Sequence, residues 1–533
     1  MANVWASQGM VSSGHPLASQ AGLCVLNRGG NSVDAALAMA FAAIVVLPGQ
    51  CGAGGDAYAL YSAPDGSVTA VMGSGALPAT YTEDRLHTVQ DRLLPLRGAQ
   101  SVTVPGAVGA YLTLHRRFGR LGLPEVMAAA IRLACDGFLV DDALAASLAL
   151  YAEALTADPA LQERFYPAGT PLGIGDVLRQ PELANLLRTL AAGDADAFYR
   201  GAVARAIERR VAAGGGFLTQ ADLARHSTRV ERPLTHRVGA YTVMVPPPPS
   251  SGVVLLEALA LLAGDSWDYA WRSRPEAVHR MIEALRWSFY DLRRDLGDPD
   301  FEGNPASNLL AADHLERRRS AIREDRSPLP EPFDGGISIM DGDTASLVAA
   351  DAEGGAVGLI HSLGLEFGSL VYVAEGGFFL NNRGGRSFNR VNGHPNQALP
   401  KKRPLQASHT YVVQTEGQTV VVGNTPGGDG QAQWNLSILT DLLWAGRTPH
   451  EAVSLPRLTI SPGADAHSLG ESERVVLESR FSSRIWAELG RRGHQVRVVG
   501  PFEGGGAAHV LQRRPTGWVG ASDPRGMGQT LGF

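Results

Sequence analysis

The sequence predicts an α+β protein in which a helix-rich half precedes a strand-rich half across an exposed connection. Three observations predict it. Up to about residue 300, apolar residues recur at the three-and-four spacing of helices. Beyond Ile337 the pattern changes to short, β-prone apolar runs divided by glycine-rich turns. Between the two, Arg317 to Gly336 is dense in charge, proline and glycine, which reads as an exposed, flexible linker.

The helical spacing predicts helices over Ser32 to Val46, Ala107 to Phe118, Pro124 to Cys135, Val140 to Thr156 and Pro275 to Leu296. Strands are predicted at Ala345 to Ala350, Ala356 to Leu363, Leu370 to Val373, Phe378 to Leu380, Tyr411 to Val413 and Thr419 to Gly423. Ala352-Glu-Gly-Gly355 between the first two reads as a hairpin connection. There is no internal repeat and no heptad pattern, which removes solenoid and filament readings.

A chain of 533 residues exceeds what one core usually organises. Hydrophobic residues at 44% and charged residues at 19% are ordinary for a folded soluble protein. A formal charge of −6 without a basic run gives polyphosphate no purchase, so nucleic acid is not expected as a partner. The longest apolar segment, Ala35 to Pro48, is shorter than the roughly 20 residues of a membrane span and is expected to be a buried helix. The start, Met1-Ala-Asn-Val-Trp-Ala-Ser, lacks the features of a secretory signal, so a cytoplasmic protein is expected. Cys24, Cys51 and Cys135 have no metal or redox spacing and are expected as reduced, buried thiols.

The chemistry centres on Asp341-Gly-Asp-Thr-Ala-Ser-Leu-Val-Ala-Ala-Asp351, where a threonine stands at the passage from linker to strand. A threonine hydroxyl is a poor nucleophile, but a free α-amino group on the same residue can act as its base. That amine has an unperturbed pKa of about 7.7 to 8.0, so much of it is neutral near pH 7 to 8. Creating it requires scission of the Asp343 to Thr344 bond, which the hydroxyl can begin by attacking the Asp343 carbonyl. Alone, a threonine opening a strand is ordinarily a β-branched strand residue. A second segment adds weight. Asn424-Thr-Pro-Gly-Gly-Asp-Gly430 follows a strand-like run, and its paired glycines would let backbone N–H groups approach an oxyanion.

At this point the chain resembles the γ-glutamyltranspeptidases, a family of N-terminal-nucleophile hydrolases. The segments that carry the resemblance begin with Gly29-Gly-Asn-Ser-Val-Asp-Ala-Ala36, Gly52-Ala-Gly-Gly-Asp56, Val104-Pro-Gly106, Asp136-Gly-Phe138, Pro247-Pro-Pro-Ser-Ser-Gly252 and Leu296-Gly-Asp-Pro-Asp-Phe301. They continue with Gly342-Asp-Thr344, Phe367-Gly-Ser369, Leu380-Asn-Asn382, Pro426-Gly-Gly428 and Ala521-Ser-Asp-Pro-Arg525. The resemblance implies a four-layer αββα fold of two stacked sheets covered by helices. It also implies maturation into a large subunit, residues 1–343 with a cleavable linker over about 317–343, and a small subunit, residues 344–533, the two forming one αββα unit.

Carried over by position, Thr344 would be the nucleophile, its new amine the base, and Ser362 the hydroxyl that supports it, with Gly427 and Gly428 as oxyanion-hole glycines. The implied activity is amide cleavage through an acyl-enzyme, of γ-glutamyl or glutathione hydrolase type, with transfer of the acyl group to an amine left open. No cofactor and no metal are implied. The implied partners are a small amide substrate and the two subunits of one precursor; association of processed heterodimers is left open.

The departures bear on substrate. The family's arginine for the substrate α-carboxylate falls at Ser74, and its asparagine two positions after the supporting hydroxyl falls at Gly364. The glutamine and aspartate that receive the α-amino group fall at Arg383 and Arg386, each a cation in place of an acceptor or acid. A paired-serine segment aligns with Gln406-Ala-Ser408. Such a pocket should repel an ammonium and welcome an anionic or carbonyl-rich group. Glu366-Phe-Gly-Ser369, Asn382-Arg-Gly384 and Gly427-Gly-Asp-Gly-Gln431 resemble the branch of oxamate amidohydrolases and acylases, so oxamate or a glutaryl amide is the alternative substrate. The bland reading of the two arginines is a structural ion pair. A catalytically silent binding protein is the alternative from another class, motivated by Ala345, where many relatives have a second threonine, and by the lost anchors.

Three further features are discounted. Gly52-Ala-Gly-Gly-Asp-Ala57 fits a dinucleotide-loop string but no βαβ unit supports it. His361 neighbours the supporting hydroxyl, yet strand alternation points it to the other face. Asp298 and Asp300 are expected as capping or turn residues rather than cation ligands.

Overall fold

The computed structural model of the chain describes residues 2–86, 93–193, 196–329, 344–461 and 473–533. Two seven-stranded antiparallel sheets lie face to face. The first runs, in spatial order, Val4–Ala6, Gly517–Ser522, His509–Arg514, Gln418–Asn424, Tyr411–Thr415, Tyr241–Val245 and Leu234–Val238. The second runs Gln529–Gly532, Met10–Ser13, Ala345–Ala350, Ala356–Ser362, Asp56–Ser62, Val68–Gly73 and Arg229–Glu231. Alternation along each strand sends one set of side chains between the sheets, where Met10, Leu60, Val348, Val412, Val422 and Leu511 form one apolar cluster. The other set meets helices. Pro16–Asn27, Ser32–Val46 and Ala107–Phe118 cover the second sheet, Val253–Leu262 and Gly430–Leu443 cover the first, and Pro275–Asp295 packs on Val253–Leu262. The result is the four-layer αββα fold.

The helix Ser32–Val46 shows how local chemistry serves this packing. Asn31 Oδ1 accepts from the N–H groups of Val33 and Asp34, and Asp34 Oδ2 accepts from the Asn31 N–H, which is a capping box. All 15 residues of the helix are buried, so it is apolar on every side. No described helix is long and apolar enough to cross a membrane. On the sheet side, Ala345–Ala350 and Ala356–Ser362 pair from Ala345 opposite His361 to Ala350 opposite Ala356, and Ala352 to Gly355 makes the predicted hairpin connection.

Several expectations are corrected. Val140 to Thr156 is not one helix but two, Asp142–Leu150 and Ala152–Thr156, after a short strand Phe138–Leu139. The amino-terminal half is helix-rich, and it also contributes seven of the 14 strands in the two large sheets. The linker begins later than Arg317. Ala312–Ala321 is a helix whose Arg318 Nε donates to the buried Asp291 Oδ2 at 2.6 Å, and Ser327 is fully buried with its N–H on Glu283 Oε2 at 3.1 Å. Arg318 and Arg319 reach buried partners on neighbouring helices, while Glu316, Arg317 and Arg323 to Arg326 stay exposed. Cys24 and Cys135 are exposed, and Cys51 alone is buried.

Candidate active site

Sheet register brings the candidate residues into one row. Ala345 lies opposite His361, Ser362 opposite Asp56, and Ala57 opposite Gly73. The residues at the same end of four neighbouring strands are therefore Thr344, Ser362, Asp56 and Ser74. The facing sheet ends one strand, Gln418–Asn424, at the same edge and continues into Thr425-Pro-Gly-Gly428. Asn424 Nδ2 ties the sheets together there by donating to the carbonyls of Leu347 and Leu359, at 3.1 and 2.9 Å.

Thr344 is 5% exposed, and its hydroxyl donates to Ser362 Oγ at 3.1 Å. Ser362 Oγ also accepts the Gly364 N–H at 2.9 Å. The hydroxyl that would attack is thus held by a serine that is itself fixed to the backbone. His361 lies on the opposite face, with Nδ1 at 2.5 Å from the Tyr111 hydroxyl. Burial without a charged partner pushes its pKa down to about 3, so it is a neutral core histidine, as strand alternation predicts.

Thr344, Arg383, Arg386, Gln406 and Gly428 line one pocket, together with Ser251, Ser408 and Asp429. Gly427 and Gly428 have φ of +114° and +53°, and a Cβ on Gly427 would sit 2.3 Å from Trp434 Cζ3. Only glycine fits there, which keeps this turn tight and free of side chains.

The arginines are tethered. Arg383 follows Asn381 and Asn382 at the start of the short helix Arg383–Ser387, where its N–H donates to Asn381 Oδ1 at 3.1 Å. Its Nε donates to Asp56 Oδ2 at 2.8 Å, and its Nη2 stands 3.5 Å from Ser408 Oγ. Arg386 Nη1 donates to the Gly364 carbonyl. Burial raises the Asp56 pKa to about 6, against the opposing pull of Arg383, Gln406 and the Gly75 N–H. Burial lowers that of Arg383, with Asp56 opposing.

Two sequence-derived candidates stand elsewhere than the reading had them. Gly364 does not line the pocket; its φ is +107°, and a Cβ would meet Asn382 Oδ1 at 2.1 Å, so it serves through its N–H and carbonyl. Ser74 stands behind the pocket wall, where its Oγ accepts from Gln406 Nε2 at 2.7 Å, and it lines a neighbouring cavity with Asp222, His226 and Arg403. Asp343, on the other side of the expected scission, lies outside the described residues. Sequence reasoning missed Asp56, Ser251 and Asp429. A buried acid opening an alternating strand was the available signal for Asp56.

Among the described residues, two clusters have the side chains of a metal site: His279, Glu283 and His494, and Glu257, Asp291 and His314. In each an arginine already occupies a carboxylate: Arg286 Nη1 donates to Glu283 Oε1 at 2.6 Å, and Arg318 grips Asp291. A guanidinium on the same oxygens repels a dication. Both clusters read as clamps for the segment 312–329. Asp298 caps the short helix Pro299–Glu302 and pairs with Arg403, which is the expected turn role.

The chain is similar to known proteins over nearly its whole length. The family model described as gamma-glutamyltranspeptidase matches residues 18–533. The glutathione hydrolase-like YwrD proenzyme of Bacillus subtilis is 32% identical, over 98% of this chain and 98% of that protein. The oxamate amidohydrolase proenzyme of Klebsiella pneumoniae is also 32% identical, over 99% of each. The crystal structure of a cephalosporin acylase from Bacillus halodurans superposes with a TM-score of 0.91 at 31% identity, covering 100% of this chain and 97% of that one.

Proposed function

Since the chain belongs to the γ-glutamyltranspeptidase family and is an N-terminal-nucleophile amidohydrolase, we propose that Thr344 is its nucleophile and small carboxylated or carbonyl-rich amides its substrates. One observation carries the reading. The Thr344 hydroxyl, 3.1 Å from Ser362 Oγ, shares its pocket with Arg383, Arg386 and Gly428.

In this reading the precursor first cuts itself. Thr344 Oγ attacks the Asp343 carbonyl, the peptide shifts to an ester, and water hydrolyses it, leaving a carboxylate on Asp343 and an α-amine on Thr344. The amine then takes the hydroxyl proton as Oγ attacks the substrate acyl carbon. The N–H groups of Gly427 and Gly428 receive the developing oxyanion. The C–N bond breaks, the leaving amine carries the proton away, and water splits the Thr344 ester to release the acid. An amine in place of water would make the step a transfer.

Support for the substrate class comes from charge. A γ-glutamyl group brings an ammonium, which two arginines on the pocket wall disfavour, whereas a second carboxylate or carbonyl accepts their N–H groups. Oxamate and glutaryl amides have that character. A γ-glutamyl substrate is the second reading, favoured by relatives named glutathione hydrolase, such as that of Escherichia coli at 30% identity. Side-by-side hydrolysis of glutathione, a γ-glutamyl anilide, oxamate and a glutaryl anilide separates them. Faster turnover of oxamate or the glutaryl amide is expected; efficient γ-glutamyl turnover would overturn the choice.

A further inference from the structure

The row of strand ends contains one charged side chain to which the chemistry above gives no task. Asp56 is 1% exposed and opens the strand Asp56–Ser62 directly opposite Ser362. Its Oδ2 accepts from two pocket residues at once, Arg383 Nε at 2.8 Å and Gln406 Nε2 at 3.1 Å. The Gln406 amide is held from the other side by Ser74 Oγ at 2.7 Å. Its backbone is fixed too, with its N–H on the Pro249 carbonyl at 2.8 Å and its carbonyl receiving the Ser251 N–H at 2.7 Å. One carboxylate oxygen therefore sets the planes of two side chains that face the same pocket as Thr344.

The consequence for Arg383 is geometric. With Nε committed to Asp56 and Nη2 at 3.5 Å from Ser408 Oγ, a ligand meets the guanidinium on the edge carrying Nη1 and Nη2. A carboxylate takes that edge in two parallel hydrogen bonds only when the plane is already aligned. A buried ion pair adds little net stability over apolar packing of the same volume, so orientation is the main thing this pair supplies. Burial alone would push Arg383 toward losing its proton, and Asp56 opposes that.

We propose that Asp56 is a positioning residue that aims Arg383 at the distal carboxylate of the acyl group, so that the amino-terminal half of the chain selects the acyl groups Thr344 attacks. The inference rests on the substrate reading given above. It differs from a purely electrostatic role, in which Asp56 would only cancel the charge of Arg383 and weaken anion binding.

The test compares a glutaryl anilide with the uncharged valeryl anilide in wild type, Asp56→Asn, Arg383→Met and the double variant, with glutarate affinity measured by calorimetry. Asp56→Asn is expected to raise the ratio of glutaryl to valeryl KM about tenfold or more, as for loss of one charge-assisted contact. Glutarate affinity should fall in parallel, while kcat moves much less. In the Arg383→Met background, Asp56→Asn should add nothing, because both changes remove the same interaction. Where Asp56→Asn does not accumulate, Asp56→Glu, which displaces the carboxylate by one methylene, should raise the same ratio. An unchanged or lowered ratio in an enzyme whose wild type prefers the glutaryl amide would overturn the proposal and leave the substrate reading standing. A wild type that shows no preference for the carboxylated amide and no glutarate binding would sink both.

Discussion

Replacing Ser362 by alanine probes the support of the attacking hydroxyl, and two of its contacts set the scale of the effect. Ser362 Oγ accepts from Thr344 Oγ1 at 3.1 Å and from the Gly364 N–H at 2.9 Å, both buried. Alanine leaves that amide without a partner, which costs about 1–3 kcal/mol of stability. It also frees the Thr344 hydroxyl to leave its attack orientation. If that bond is worth about 1–1.5 kcal/mol, kcat falls about tenfold. The two effects separate in different backgrounds. In Thr344→Ala protein, expected to remain one chain, adding Ser362→Ala should lower stability to chemical denaturation by at least the cost of the unpartnered amide. In otherwise wild-type protein, the same change should lower kcat on the best amide about tenfold with KM little altered. Full kcat in Ser362→Ala, combined with the loss of stability, would refute the reasoning and make Ser362 a backbone cap only.

Two further outcomes follow from the same geometry. Gly427→Ala places a Cβ 2.3 Å from Trp434 at a backbone φ of +114°, so kcat should fall roughly 100- to 1,000-fold through loss of an aligned oxyanion donor; steady-state kinetics showing less than a few-fold change would remove Gly427 from the site. Stability should also depend on acid. Burial holds the pKa values of His361 and His509 down to about 3 and that of His409 to about 4, so the unfolded chain binds more protons between those values and its ordinary 6.5. Their contribution is fully present above pH 6.5 and is lost as pH falls toward 3, at about 1.4 kcal/mol per pH unit for each histidine within the window. Denaturation midpoints at pH 7 and pH 5 measure this, and a midpoint that does not fall at pH 5 would contradict it.

What the sequence made legible was local. Ser32–Val46 matches the expected helix because a capping box opens an unbroken apolar run, and Ala107–Phe118 because its buried residues recur at helical spacing. Ala345–Ala350 and its hairpin were readable because the strand and its partner are close in sequence. Pairings across the chain were not. Val4–Ala6 pairs with Gly517–Ser522, and nothing in a three-residue run announces a partner at the far end of the sequence. The helix ending at Ala321 was obscured because charge density looks the same whether it faces water or grips a buried Asp291.

The site divides in the same way. Thr344, Arg383, Arg386, Gln406 and Gly428 line one pocket, and His361 faces away from it by simple alternation. At Gly364 and Ser74 only the structure shows what occupies the space: Asn382 beside Gly364, and Gln406 in front of Ser74. Asp56 was missed because its glycine-rich approach resembled a phosphate loop and its partner Arg383 is 327 residues away.

The most direct measurement is the amino-terminal residue of the smaller chain in purified, active protein, read by mass spectrometry beside Thr344→Ala. The smaller chain is expected to begin at Thr344 in the wild type, and the variant to remain one uncut chain. An active wild-type protein whose peptide bond before Thr344 is intact would contradict it.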